Sequence, residues 1–244
     1  MKYLRFVFLL PFFALCLSSA RADMVVETTR VIYPEAKREV SFKVSNVNKE
    51  RPAFVQMWLD DGNASASPEE AVSPFNLTPP VSRIKPGGSQ VVRLVFTGDP
   101  LPADRESVFY FNMLEVPQKS AEENKIAFAI RTRIKVFYRP KALKGELIDQ
   151  LDKATWKLVK KDGTWMAEGT NPSAFHMSFF GLNLGSDGKF DVSSDGGMIP
   201  PKSTASFVVG PVDKITQPLK AIKVDFVSDF GGAINKEFPL SADN

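Results

Sequence analysis

The sequence has 244 residues, with 31 Lys and Arg against 28 Asp and Glu, a formal net charge of +3 and one cysteine, Cys16. Three of the cations, Lys2, Arg5 and Arg21, and the cysteine itself lie in an N-terminal stretch that reads as a removable leader, so the rest of the chain is neutral, with 28 basic against 28 acidic residues. That neutrality removes the electrostatic argument for a nucleic-acid or anionic-membrane partner, and the missing thiol excludes disulfides, thiolate nucleophiles and thiolate metal ligands.

In the leader, Lys2 and Arg5 precede an apolar run from Phe6 to Leu17, interrupted by Pro11, and "SSARA" then ends at Ala22. This is the pattern of a secretory signal peptide over residues 1–22, with Asp23 as the mature start. The apolar run is too short to span a bilayer, and no later segment approaches the roughly 20 apolar residues a spanning helix needs, so stable membrane insertion is not expected. The mature chain is long enough for two domains of about 100 residues each.

From Val25 onward the dominant hydrophobic period is two, with turn residues every eight to twelve positions. Candidate strands are "MVVETTRVIYP", "REVSFKVSNVN", "AFVQMWLDD", "FNLTPPVSRIK", "SQVVRLVF", "ESVFYFNMLEV" and "IAFAIRTRIKVFYRP". Seven short antiparallel strands are the count expected of an immunoglobulin-like β-sandwich. "DDGN" at 60–63 and "KPGG" at 85–88 read as turns, and the acidic pairs Asp60/Asp61 and Glu69/Glu70 as solvated turn residues. After Arg139-Pro140 the pattern restarts with "ATWKLVKKDGTWMAEG", where Asp162-Gly163 between alternating runs is a strong hairpin signal. "AFHMSFFGLNLG", "KFDVSS", "STASFVVG" and "AIKVDFVSDF" follow. The expectation is all-β, with two immunoglobulin-like sandwich domains, 23–143 and 144–244.

Enzyme chemistry finds no support. The one histidine, His176, sits among apolar residues and reads as a hydrogen-bonded core residue, and no HExxH, GxSxG or phosphate-binding loop occurs. No cofactor is expected. Trp58, Trp156 and Trp165 fall in alternating strands and read as sandwich core, which argues against a secreted two-domain adhesin or carbohydrate-binding module built on exposed aromatics.

The stretch 126–140 is the least ordinary. Ile126, Phe128 and Ile130 alternate with alanines and would face one way, and basic residues Arg131, Arg133, Lys135 and Arg139 then take over the other face. A long apolar edge strand is normally blunted by Pro, bulges or inward charge. Here nothing blunts it before Arg131, so it is either covered within its domain or meant to pair with another chain.

These residues resemble a known family, the PapD-like periplasmic chaperones of the chaperone-usher pilus pathway. "LPADRESVFYFNMLEVP" (101–117) is similar to the family signature, "RIKVFYRP" (133–140) to the end of its donor strand, "TRVIYP" (29–34) to its first strand, and "TPPVSRIKPG" (78–87) fits as well. The resemblance implies two sandwiches set at an angle, a cleft between them, and capture in the periplasm of pilus subunits whose own fold lacks its last strand, followed by delivery to an outer-membrane usher. It implies that Arg30 and Lys135 hold the subunit's C-terminal carboxylate, that Ile126, Phe128 and Ile130 fill its groove, and that Glu106, Arg139 and Asp229 form a charged set across the hinge. The short "QKSAEENK" connection and the absence of a disulfide are similar to the branch serving rod-like pili. Self-association that caps the donor strand is left open, and Arg131 and Arg133 have no assigned role.

Overall fold

The computed structural model describes residues 23–117, 128–211 and 218–242. Among these described residues nine strands build the first domain: β1 Met24–Val26, β2 Arg30–Pro34, β3 Val40–Asn46, β4 Ala53–Asp60, β5 Phe75–Thr78, β6 Val81–Ile84, β7 Ser89–Phe96, β8 Ser107–Val116 and β9 Ile130–Arg139. They form two sheets, ordered β1-β3-β7-β5 and β2-β9-β8-β4-β6.

Nine strands appear where the period-two pattern marks seven runs, because two runs each serve both sheets. In "MVVETTRVIYP" the chain leaves β1 and re-enters as β2 after bends at Glu27 and Thr29, and between them Thr28 Oγ1 donates to the Arg30 carbonyl at 2.6 Å. In "FNLTPPVSRIK" the change falls at Pro79-Pro80, neither of which has an N–H to give to a ladder. Hydrophobic alternation is the same on either side of such a switch, so the sequence pattern runs through it.

Between the sheets lies an apolar core that includes Val31, Tyr33, Val55, Met57, Phe111, Met113 and Val136. Tyr33 is buried with its hydroxyl satisfied, donating to the Arg38 carbonyl at 3.0 Å and accepting from Phe96 N–H at 3.1 Å. In β9 the side chains of Ile134, Val136 and Tyr138 pack into this core. The odd-numbered residues from Arg131 to Arg139 therefore leave on the outward face.

The second domain opens with a 3-10 helix, Leu147–Lys153, and continues with β10 Thr155–Lys161, β11 Thr164–Asn171, β12 Met177–Ser186, β13 Lys189–Ile199, β14 Ser203–Pro211, β15 Ala221–Val227 and β16 Ala233–Ala242. Asp162 and Gly163, both at positive φ (48° and 74°), close the β10–β11 hairpin as a two-residue turn. The strands form one ladder, β13-β12-β15-β16-β10-β11-β14. It curls so that its two ends meet, where Ser194 Oγ donates to the Val208 carbonyl at 2.5 Å. The enclosed core is centred on Trp156, Phe179, Leu182, Leu184, Ile222 and Phe226.

Strand β16 has no counterpart among the sequence-predicted strands. Its "AINKEFPLSA" carries a proline and few alternating apolar residues, and its place is set by two neighbours, antiparallel β15 and parallel β10. The chain thus forms two β-sandwiches, as the alternating pattern predicts.

Candidate functional site: an open strand edge and a cation pair

Strand β9 has different company along its length. On one side β8 pairs with it from Glu115↔Ile130 to Ser107↔Tyr138. On the other, β2 runs parallel to it but covers only Lys135 to Arg139, beginning at Arg30↔Lys135. Among the described residues no strand occupies the β2 side of residues 130–134, so the backbone N–H and C=O groups there form an open edge. Ile130 is 41% exposed and Phe128, just ahead of the strand, 77%. Ile126 lies outside the described residues.

At the point where β2 begins, two cations stand side by side. Arg30 is buried, donates from Nη1 to the Val227 carbonyl at 3.1 Å and lies 5.6 Å from the Phe137 ring centroid. Among the described residues its Nε has no hydrogen-bond partner. Burial pulls the Arg30 pKa below its usual value against the opposing fields of Asp229 and Glu106. Lys135 is half-buried, and its amine is lowered by desolvation first and then by repulsion from Arg30 and Arg133. Among the described residues no carboxylate lies within ion-pair distance of either head group. Two desolvated like charges without a counter-ion form a site that an anion would relieve.

One step further along β9 the two domains are bound together. Arg139 donates Nε to Glu106 Oε1 at 2.8 Å and both terminal nitrogens to Asp229, at 2.8 and 3.0 Å. Glu106 is also held by the second domain, accepting from His176 N–H at 2.7 Å while its own N–H donates to the Ala174 carbonyl at 2.9 Å. The structure thus brings Glu106, Arg139 and Asp229 into one contact. His176 is buried and hydrogen-bonded as its setting suggests, but at the domain interface, with Nδ1 3.3 Å from Glu106 and its ring 5.3 Å from Phe137. That position was hidden in the sequence because Glu106 is 70 residues away.

Gly231 completes the contact. It sits at φ 86°, and a Cβ there would lie 2.2 Å from Thr29 Oγ1. The β15–β16 turn therefore seats directly on the residue before Arg30.

Asp60 departs from its expected place as a solvated turn residue. It is fully buried on the outward face of the five-stranded sheet, where its carboxylate accepts from Arg133 Nε at 3.2 Å and from Arg133 Nη2, from Asn112 Nδ2 at 2.7 Å and from Gly62 N–H at 2.8 Å. Desolvation opposes its ionisation, but the Arg133, Asn112 and Gly62 hydrogen bonds outweigh that and hold its pKa below the usual value. Trp58 also differs from expectation: it is buried, but on this outward face, with the Arg131 guanidinium 4.8 Å from its ring centroid. Trp156 is in the second core and half-buried Trp165 packs against it.

Residues 23–144 match the family model described as "Pili and flagellar-assembly chaperone, PapD N-terminal domain", and residues 149–238 match "Pili assembly chaperone PapD, C-terminal domain". The chaperone protein FimB/FhaD of Bordetella pertussis is 38% identical over 221 residues, covering 88% of this chain and 86% of the relative. The probable fimbrial chaperone YadV of Escherichia coli is 39% identical over 228 residues, 89% of each chain. The crystal structure of the Pseudomonas aeruginosa CupB2 chaperone aligns with a TM-score of 0.75 at 33% identity, over 89% of this chain and 100% of that one.

Proposed function

The chain belongs to the PapD family of pilus-assembly chaperones, and from that premise we propose that it is exported to the periplasm, losing residues 1–22, and there captures pilus subunits by donating strand β9. In this reading domain 23–143 carries the donor strand, with Ile126, Phe128 and Ile130 entering the subunit's open groove. Arg30 and Lys135 hold the subunit's C-terminal carboxylate, and Glu106, Arg139 and Asp229 fix the angle to domain 144–244. The capped subunit then passes to an outer-membrane usher without a nucleotide or other cofactor.

The observation that carries the proposal is the coincidence of two features along β9. The open edge stops at residue 134, and the unneutralised pair Arg30 and Lys135 begins at the next position. A strand lying along 130–134 with its last carboxylate at that pair must run parallel to β9, in line with β2. Backbone hydrogen bonds and apolar burial would supply affinity, each large side chain about 1.5–3 kcal/mol before association costs. The carboxylate would set register, since its charge-assisted contacts are directional and stronger than neutral ones.

The test is co-expression with a pilus subunit from the same gene cluster and affinity recovery from periplasmic extract. Wild type should retain the subunit, and Lys135→Ala and Arg30→Ala should lose most of it. Equal recovery by all three would remove the carboxylate role.

A further inference from the structure

Arg131 and Arg133 lie in the open half of β9 and take no part in the capture just described, yet their side chains are the most heavily tied ones there. Asn112, fully buried on β8, receives Arg131 Nε at 3.0 Å and Nη2 at 2.8 Å on its Oδ1, while its Nδ2 donates to Asp60. Arg131 Nη1 donates to the Ala64 carbonyl at 2.7 Å, and its Nη2 lies 3.6 Å from Asp60. Arg133 pairs with Asp60 and sits 3.7 Å above the Tyr110 ring. Groups from β4, from β8 and from the turn after β4 all converge on these two side chains of one edge strand.

Their direction matters as much as their number. Residues 131 and 133 project on the face opposite Ile130 and Ile134, and the edge N–H and C=O groups lie in the plane between the two faces. The network therefore grips the strand without occupying its edge or its apolar face. A strand hydrogen-bonded on one side only is prone to local opening, and a template that opens is available to a partner for only part of the time.

We propose that Asp60, acting through Asn112, Arg131 and Arg133, is the positioning residue of the open edge. It holds residues 130–134 extended and in register while they are unpaired, so that an incoming strand meets a formed template. This deepens the strand-donation reading and rests on it. Buried on the far side of the sheet, Asp60 need not touch the captured chain.

The experiment uses the mature chain and three variants: Asp60→Asn, which removes the central charge, and Arg131→Lys and Arg133→Lys, which keep charge but lose the planar fork. The probe is a synthetic peptide of about ten alternating apolar and polar residues with a free C-terminal carboxylate, enough to cover the open edge. Amide exchange at residues 130–134 of the free protein and the association and dissociation rates of the peptide are measured together. The expected result is about tenfold faster exchange at 130–134, with amides of the β10–β16 domain unchanged, and about tenfold slower association with little change in dissociation. Unchanged exchange in all three variants overturns the proposal, as does a lysine variant matching wild type where Asp60→Asn fails, since charge alone would then suffice. If Asp60→Asn does not fold, the two lysine variants decide. If wild type itself ignores the peptide, the strand-donation reading fails, and the exchange rates still decide whether this network holds the edge.

Discussion

Arg30 and Lys135 stand directly opposite one another in the parallel β2–β9 ladder, two cations in register at the last paired position before the edge opens. Burial lowers the pKa of both, and repulsion from Arg30 and Arg133 lowers that of Lys135 further while Asp229 and Glu106 oppose the shift at Arg30, so the arrangement is unfavourable in the free protein and improves when an anion arrives. Two peptides that differ only in carrying a C-terminal acid or amide should separate this effect from strand pairing. Calorimetric titration is expected to give the acid about 10–100-fold tighter binding, from one or two charge-assisted contacts, and equal affinities would show that the pair takes no terminal carboxylate.

Phe128 is expected to tolerate a charge in the free protein but not in capture. At 77% exposure it contributes little to its own domain, so Phe128→Glu should leave the unfolding free energy within about 0.5 kcal/mol of wild type. Subunit recovery from periplasm should nonetheless disappear, because an apolar pocket would have to receive an unpaired carboxylate. Loss of the fold instead would mean that this side chain is part of the domain's core.

Much of this could be read before the fold was in view, and the failures share a cause. The Asp162-Gly163 hairpin and the alternating strands depend on neighbours in sequence, and they stand where expected. Asp60 beside Asp61 and Gly62 looks like a turn acid, and its burial depends on Arg133, 73 residues later. His176 is placed by Glu106, and β16 by β10 and β15, again through distant partners. The apolar/basic change within 126–140 was visible, but what it divides was not. That depends on where β2 begins, and β2 begins at Arg30, after the bends at Glu27 and Thr29 that carry the chain from one sheet to the other.

Gly231 offers a way to disturb the cation pair from the other domain. Its φ of 86° alone costs a substituted alanine about 1–2 kcal/mol, and the new Cβ would meet Thr29 Oγ1 at 2.2 Å. Thr29 precedes Arg30, whose Nη1 is held by the Val227 carbonyl at the base of the same turn. Gly231→Ala should therefore lower the thermal midpoint and also reduce the preference for the acid-terminated over the amide-terminated peptide. Affinity for the amide should stay near wild type, since residues 130–134 are not touched. An unchanged acid preference would show that Arg30 keeps its place without the turn.

Lys135→Met should expose a conflict between stability and capture. Below its lowered folded pKa the Lys135 amine carries a charge that is partly desolvated and faces Arg30 and Arg133. The folded state then binds that proton less strongly than the unfolded chain does, so this group's contribution disfavours folding near neutral pH, and stability rises as pH climbs through the folded pKa toward 10.5. Methionine keeps the aliphatic packing and removes the charge, so the free variant should melt roughly 2–4 °C higher at neutral pH. The difference should shrink at alkaline pH, where the wild-type amine is discharged too. The advantage of the acid-terminated over the amide-terminated peptide should shrink in the variant to what Arg30 alone supplies. A variant that melts lower at neutral pH would mean that Lys135 already has a stabilising partner in the free protein, and the pair would then not be waiting for an anion.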